Sequence, residues 1–163
     1  MKTKLTLLFI AVASFFVQAQ NTEACTETLS LMSTSVKAKD VTAYDYLTTL
    51  RKDCPSFHKS IYTLGEFAVK LKIEKATTPQ DKEKYVRDLL KLYDEHDQYF
   101  PGNGAGNKMK KGLVLFENKV GTTDEVFQLL DVAFKTDYAN FKYAKAMYVY
   151  FEILVNNHKA NKG

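Results

Sequence analysis

Tryptophan is missing from this chain, and proline and glycine are scarce, at three and seven in 163 residues. With so few breakers, and with apolar residues recurring at three and four positions rather than at two, the pattern is helical almost throughout. It leaves no convincing strand. Without tryptophan, much of the core falls to ten tyrosines and eleven phenylalanines. Tyr44, Tyr46, Tyr62, Tyr85, Tyr93, Tyr99, Tyr143 and Tyr148 stand at helical spacing, which reads as core with hydroxyls at the edge rather than as a stacking platform for a ligand.

Catalytic signatures are missing as well. Gly102, Gly104 and Gly106 lead to Lys108, but a phosphate loop needs Gly-Lys-Ser/Thr directly after a strand. Here Asn107 intervenes, Met109 replaces the hydroxyl and a helix comes before, so the segment reads as a flexible turn. No Gly-x-Ser-x-Gly elbow supports nucleophilic hydrolysis. His58, His96 and His158 are scattered and make no His-Glu-x-x-His pair. Within Asp94-Glu95-His96-Asp97 only Asp94 and Asp97 can share a helix side, the mark of a solvated helix end more than of a metal centre. No catalytic residue, metal or cofactor is assigned.

Lys2 and Lys4 precede an apolar run from Leu5 to Val17, and Val17-Gln18-Ala19 supplies a cleavage site. This is the pattern of a secretory signal peptide over residues 1–19. The run is too short for a membrane span of about 20 residues. Cys25 is no lipid-attachment site, because Thr22-Glu23-Ala24 lies directly upstream where small apolar residues are required. Losing the two leader lysines leaves 21 basic residues against 19 acidic ones. A net charge near +2 offers no footprint for nucleic acid or for an anionic membrane surface. No later segment is apolar enough to span a bilayer, so a periplasmic or secreted product, not inserted in a membrane after cleavage, is expected.

Two cysteines in an oxidising compartment read first as a disulfide. A helical hairpin turning at Lys39-Asp40 would bring Cys25 and Cys54 to the same open end, each 14 residues from the turn. The alternative is two separately buried thiols.

Seven helices follow from periodicity and breakers: about Cys25 to Lys37, Val41 to Asp53, Ser56 to Lys75 after Pro55, and one opened by Thr78 with Pro79 at its first position. Pro101 to Asn107 reads as loop, Lys108 to Lys119 as the fifth helix stopped by Gly121, and Thr122-Thr123-Asp124-Glu125 as the cap of the sixth. The seventh runs from about Tyr138 to Asn157. Short connections favour antiparallel neighbours, giving an all-α fold of stacked helical hairpins in one domain from residue 20 to 163.

The seventh helix carries two apolar stripes, Phe141, Ala144, Tyr148, Phe151 and Val155 on one line and Tyr143, Met147, Tyr150 and Leu154 on the other. A helix apolar on most of its circumference has to be covered on several sides. Three arrangements would do so: a central position in a bundle, continuation into a longer array, or a docked partner. Tyr143, Met147, Tyr150 and Leu154 are the candidate partner-binding surface.

Asp53-Cys54-Pro55, Ile61-Tyr62-x-x-Gly65, Leu89-Leu90-Lys91-Leu92-Tyr93-Asp94 and Tyr99-Phe100-Pro101-Gly102 together give a resemblance. The chain resembles the exported tetratricopeptide-like proteins common in Bacteroidetes, well over Ala43 to Gly102 and loosely over Tyr148 to Gly163. The usual tetratricopeptide signature does not lie in register on the hairpins. The resemblance implies a short tetratricopeptide-like array in which Gly65 marks a close approach of two backbones, a scaffold for protein contacts, and no catalytic residues. The expected function is an exported, non-enzymatic scaffold that binds a protein or peptide, and the chain could also pair with itself. The rivals are an exported enzyme with a dispersed site and a carrier of an apolar small ligand.

Overall fold

The computed structural model describes residues 22–160. The leader read over residues 1–19, with its cleavage after Ala19, lies outside the described residues. Helix α1 spans 22–37, followed by α2 (Ala43–Asp53), α3 (Ser60–Lys75), α4 (Pro79–Tyr99), α5 (Gly104–Asn118), α6 (Thr123–Thr136), a 3-10 turn (Tyr138–Asn140) and α7 (Ala144–Ala160). The fold is all-α, with no strand among the described residues. None of these helices is long and apolar enough to cross a membrane. The described residues divide into two compact units, the first ending at Ala68 and the second beginning at Val69, with the division inside α3.

In the first unit, α1 and α2 carry their inward residues at the same spacing. Cys25, Leu29, Met32 and Val36 form one stripe, and Ala43, Leu47, Leu50 and Cys54 the other. Each is the i, i+4, i+7, i+11 line of one helix side. The turn between the helices is closed at Lys39, whose left-handed φ of 55° lets the Asp40 N–H donate to the Ser35 carbonyl at 2.9 Å. That geometry satisfies a carbonyl orphaned by the helix end. Cys25 opens the first stripe and Cys54 closes the second, so an antiparallel hairpin brings them together. They form a disulfide with Cα atoms 6.0 Å apart.

Helix α3 begins four residues later than the sequence reading placed it. The Phe57 N–H donates to the Cys54 carbonyl, making a turn through Pro55, and His58 Nδ1 accepts from the Ser60 N–H at 3.1 Å. His58 thereby does the work of a cap, a role that neither periodicity nor composition signals. The Tyr62 hydroxyl donates to the Pro55 carbonyl at 2.9 Å and pins this turn. Gly65 is buried within α3.

In the second unit the caps fall where the sequence reading set them. Thr78 and Thr122 accept from the backbone N–H of Asp81 and Glu125 at 3.0 and 3.1 Å, and each fixes the start of its helix. Helix α5 starts at Gly104, inside the stretch expected to be loop. Asn107 is the reason: it is 1 % exposed, donates to Asp97 Oδ1 at 2.6 Å, and so fastens the first turn of α5 to the end of α4. One turn on, Lys111 pairs with Asp94 at 2.8 Å, and the two contacts set α4 and α5 antiparallel. The C-terminal left-handed residue of α5 is Lys119 (φ 56°), ahead of the expected Gly121 (φ 78°). There the Val120 N–H reaches the Leu115 carbonyl, repeating the closure at Lys39.

The most enclosed element of this unit is α5. Gly112, Leu113, Val114 and Leu115 are all buried, and four consecutive residues cover most of a helix circumference. Helices α4, α6 and α7 all pack on α5. Gly112 permits the nearest approach: a Cβ built there would stand 2.9 Å from the Leu130 side chain. Helix α7, which the sequence reading made the element in need of cover on several sides, buries only Ala146, Val149, Tyr150 and Ile153. That is a single side. The central place in the bundle belongs to α5, and α7 is left with an uncovered apolar side.

Candidate functional site

Helix α7 is held in place from its inward side. Aromatic rings replace the missing tryptophan here, and Tyr150 is their centre. Its ring stacks on Phe127 at 5.6 Å and lies 5.2 Å from Phe134, which are two turns apart on α6. Phe141 closes the group, 5.5 Å from Phe134 and 5.9 Å from Tyr150. Such ring pairs contribute about 0.5–1.5 kcal/mol each beyond their buried area. The Tyr150 hydroxyl donates to Asp131 Oδ1 at 2.8 Å, and Lys135 pairs with the other oxygen of the same carboxylate at 2.8 Å. Burial, followed by the hydrogen bond to Asp131, pushes the Tyr150 hydroxyl up to about 12. Asp131 moves the other way: the hydrogen bond from Lys135 and, after it, that from Tyr150 outweigh burial and hold its carboxyl below the ordinary value. At the start of the helix, Lys145 pairs with Glu117 on α5 at 2.6 Å.

The expectation for helix seven, Tyr138 to Asn157, divides accordingly. The helix proper starts at Ala144; Tyr138–Asn140 forms a tighter turn, with the Asn140 side-chain amide donating to both Asp137 oxygens at 3.1 and 2.9 Å. Of the candidate surface, Tyr143 and Met147 are exposed, Leu154 is half-buried, and Tyr150 is in the interior. Tyr143 and Tyr148, expected in the core, both face solvent. The exposed apolar side is made by Met147, Tyr148 (64 % exposed), Phe151 and Val155 (50 % exposed), with Tyr143 before them. An open groove of about 400 Å³ runs along it, lined by Met147, Tyr148, Phe151, Glu152, Val155 and Asn156. The sequence displayed both stripes. Neither turns inward as a whole: the buried side is Ala146, Val149, Tyr150 and Ile153, of which only Tyr150 belongs to an expected stripe, and its place is set by the Phe127 and Phe134 rings of α6.

Two other clefts lie in the same unit. One of about 300 Å³ opens between the first turn of α5 and the end of α6, where Asn103, Asp137 and Asn140 meet Met109 and Phe141. Its polar groups are largely engaged with one another: Asn140 with Asp137, and Asn103 with Asn107 at 3.3 Å. The other, also about 300 Å³, lies among α4, α5 and α6 beside Lys108, Glu125, Leu129 and Val132. Asp94 and Asp97, three residues apart in the acidic segment, have different tasks, one paired with Lys111 and one with Asn107. Among the described residues no three His, Cys, Asp or Glu side chains gather as a metal site.

No protein-family model matches the chain, and comparison with curated proteins and with solved structures found no match.

Proposed function

We propose that this chain is an exported, non-enzymatic helical scaffold, built as a short array of tetratricopeptide-like hairpins, that docks a protein or peptide along the exposed side of α7. The observation that carries the reading is the contrast between the two sides of that helix. One is fixed by Tyr150, Phe141 and Lys145, while the other offers four large apolar side chains to water. Rigid, exposed and contiguous apolar surface of this kind marks interaction sites on soluble proteins. Aromatic residues on a fixed element also lose little entropy on binding and serve as anchors. The Cys25–Cys54 bridge supports export to an oxidising compartment, because such bonds persist there and are rare in a reducing cytosol. No cofactor, metal or nucleic acid enters this reading.

Site-specific photo-crosslinking in the cell of origin tests it. A photoreactive phenylalanine at Tyr148 or Val155 should give a discrete protein adduct, and the same residue at Lys84, on the exposed side of α4, should not. Equal adducts at all three positions, or none at the α7 positions, would dismiss the docking surface.

A further inference from the structure

Resting on the docking reading above, we propose that the occupant of the exposed side of α7 is α7 of a second copy of this chain, laid antiparallel across a two-fold axis. Ala144, Tyr148, Phe151 and Val155 follow one another at intervals of four, three and four residues. This is the seam of a two-helix coiled coil, whose apolar residues repeat every 3.5 positions. All four are exposed, with Phe151 also touching the rings of Phe134 and Tyr150 and still 46 % exposed.

The two borders of the seam differ, and the difference selects the direction of pairing. One border carries Lys145, Glu152 and Lys159; the other carries Met147 and Leu154. In a parallel pair each border faces the opposite border of its partner, which would set charges against apolar side chains. In an antiparallel pair each border faces its own kind. Centring the two-fold between Val149 and Tyr150 lays Tyr148 against Phe151 of the second copy and Ala144 against Val155, a small residue against a large one. In the same register Met147 meets Leu154, and Glu152 meets Lys145. The two-fold makes every one of these contacts twice, as an isologous interface requires.

Local contacts are compatible with this. The Tyr148 hydroxyl donates to Glu152 at 3.3 Å and keeps that carboxylate beside the seam. Lys145 has Glu117 as a partner and remains about half exposed, so an ammonium with three donors can take a second carboxylate. The matched stretch, residues 144–155, is only about 17 Å of helix at 1.5 Å per residue. An interface of that length falls at the small end of specific contacts, and a dissociation constant in the micromolar range is expected.

The test uses the protein exported through its own leader and purified from the exported fraction. Light scattering over about 1–500 µM should show the mass rising from one chain to two. Val155→Glu should hold it at one chain, and Glu152→Lys should raise the dissociation constant at least fivefold at low salt. Since both native cysteines are bridged, introduced thiols report geometry. Ala144→Cys mixed with Val155→Cys should give an oxidised heterodimer that neither variant gives alone. Crosslinking of each variant with itself but not of the mixture would mean a parallel pair and overturn the proposal. So would a dimer indifferent to Val155→Glu. A monomer at every concentration overturns it too, and the photo-crosslinking above then separates the cases. An adduct with another protein at Tyr148 keeps the docking surface and changes its occupant, whereas no adduct removes both.

Discussion

Replacing Tyr150 by phenylalanine removes one oxygen and leaves the ring between Phe127 and Phe134. What is lost is the hydrogen bond to Asp131, 2.8 Å long and made to a charged acceptor. Bonds of this class contribute about 1.5–3 kcal/mol. Asp131 keeps Lys135, and 19 % of its side chain meets water, which can replace the hydroxyl in part. The expected loss is therefore at the low end, about 1–1.5 kcal/mol, read as a shift of the urea midpoint at pH 7 with an unchanged slope. The pH dependence is the sharper arm. The Tyr150 hydroxyl is pushed up to about 12 in the folded chain, against about 10 in the unfolded one. A raised folded value gives stability that is whole below about pH 10 and is lost as the pH climbs from there towards 12. One unit above 10, ionisation of the unfolded chain alone has removed about 1.4 kcal/mol. Wild type and Tyr150→Phe should therefore be equally stable near pH 11, and the difference between them cancels the other tyrosines and the lysines. A gap that stays constant from pH 8 to pH 11, or no gap at pH 7, would refute the assignment of a buried hydroxyl held by Asp131.

The same carboxylate governs the acid side. Asp131 is held below its ordinary value, so it contributes stability above the usual carboxylate range and loses it as the pH falls through the lowered value; Asp131→Asn should show a shallower acid limb in thermal melts from pH 7 to 3. Gly112→Ala would gain about 1 kcal/mol from helix propensity alone, but its Cβ meets fully buried Leu130 at 2.9 Å. Overpacking costs about 1–3 kcal/mol, so the melting temperature should fall, and a rise would mean α5 and α6 are not so close. Removing the bridge by Cys25→Ala with Cys54→Ala should cost about 3–4 kcal/mol for a loop of this size, measured by denaturant unfolding under non-reducing conditions. Arg87→Ala breaks the ion pair with Glu125, yet both side chains are more than a third exposed. Its effect should stay under about 1 kcal/mol, and a larger loss would point to a structural role that the geometry does not provide.

Much of the fold was legible because local chemistry decides it. Thr78 and Thr122 mark helix starts through their own hydroxyls, and the equal spacing of Cys25 and Cys54 from the turn, with an oxidising compartment, made their bridge the first reading. The misplacements occur where a distant residue overrides local preference. Gly104 and Gly106 spell a loop until Asp97, on the preceding helix, accepts from Asn107 and makes one turn of helix the better solution. Ser56 to Lys59 could have continued a helix, but His58 caps the next one at Ser60 instead. In the candidate site the same limit applied. The apolar character of α7 was visible, but its inward side, Ala146, Val149, Tyr150 and Ile153, was not among the expected stripes except for Tyr150, whose place rests on rings sixteen to twenty-three residues upstream.

That placement bears on function through α5. A helix covered on several sides has to be apolar around most of its circumference, and in the second unit Gly112 to Leu115 meet that condition. Once α5 is interior, a peripheral helix needs a single apolar stripe, and Ala146, Val149, Tyr150 and Ile153 supply it for α7. Tyr148 and Val155 are then in excess of what this unit requires to fold, and Phe151, though it touches Phe134 and Tyr150, stays 46 % exposed. Left in water they forgo about 1.5–3 kcal/mol each for the larger side chains and expose the protein to aggregation. The proposed pairing of two α7 helices would cover them, and the border residues Lys145 and Glu152 carry the complementary charges that would make such pairing specific rather than merely adhesive.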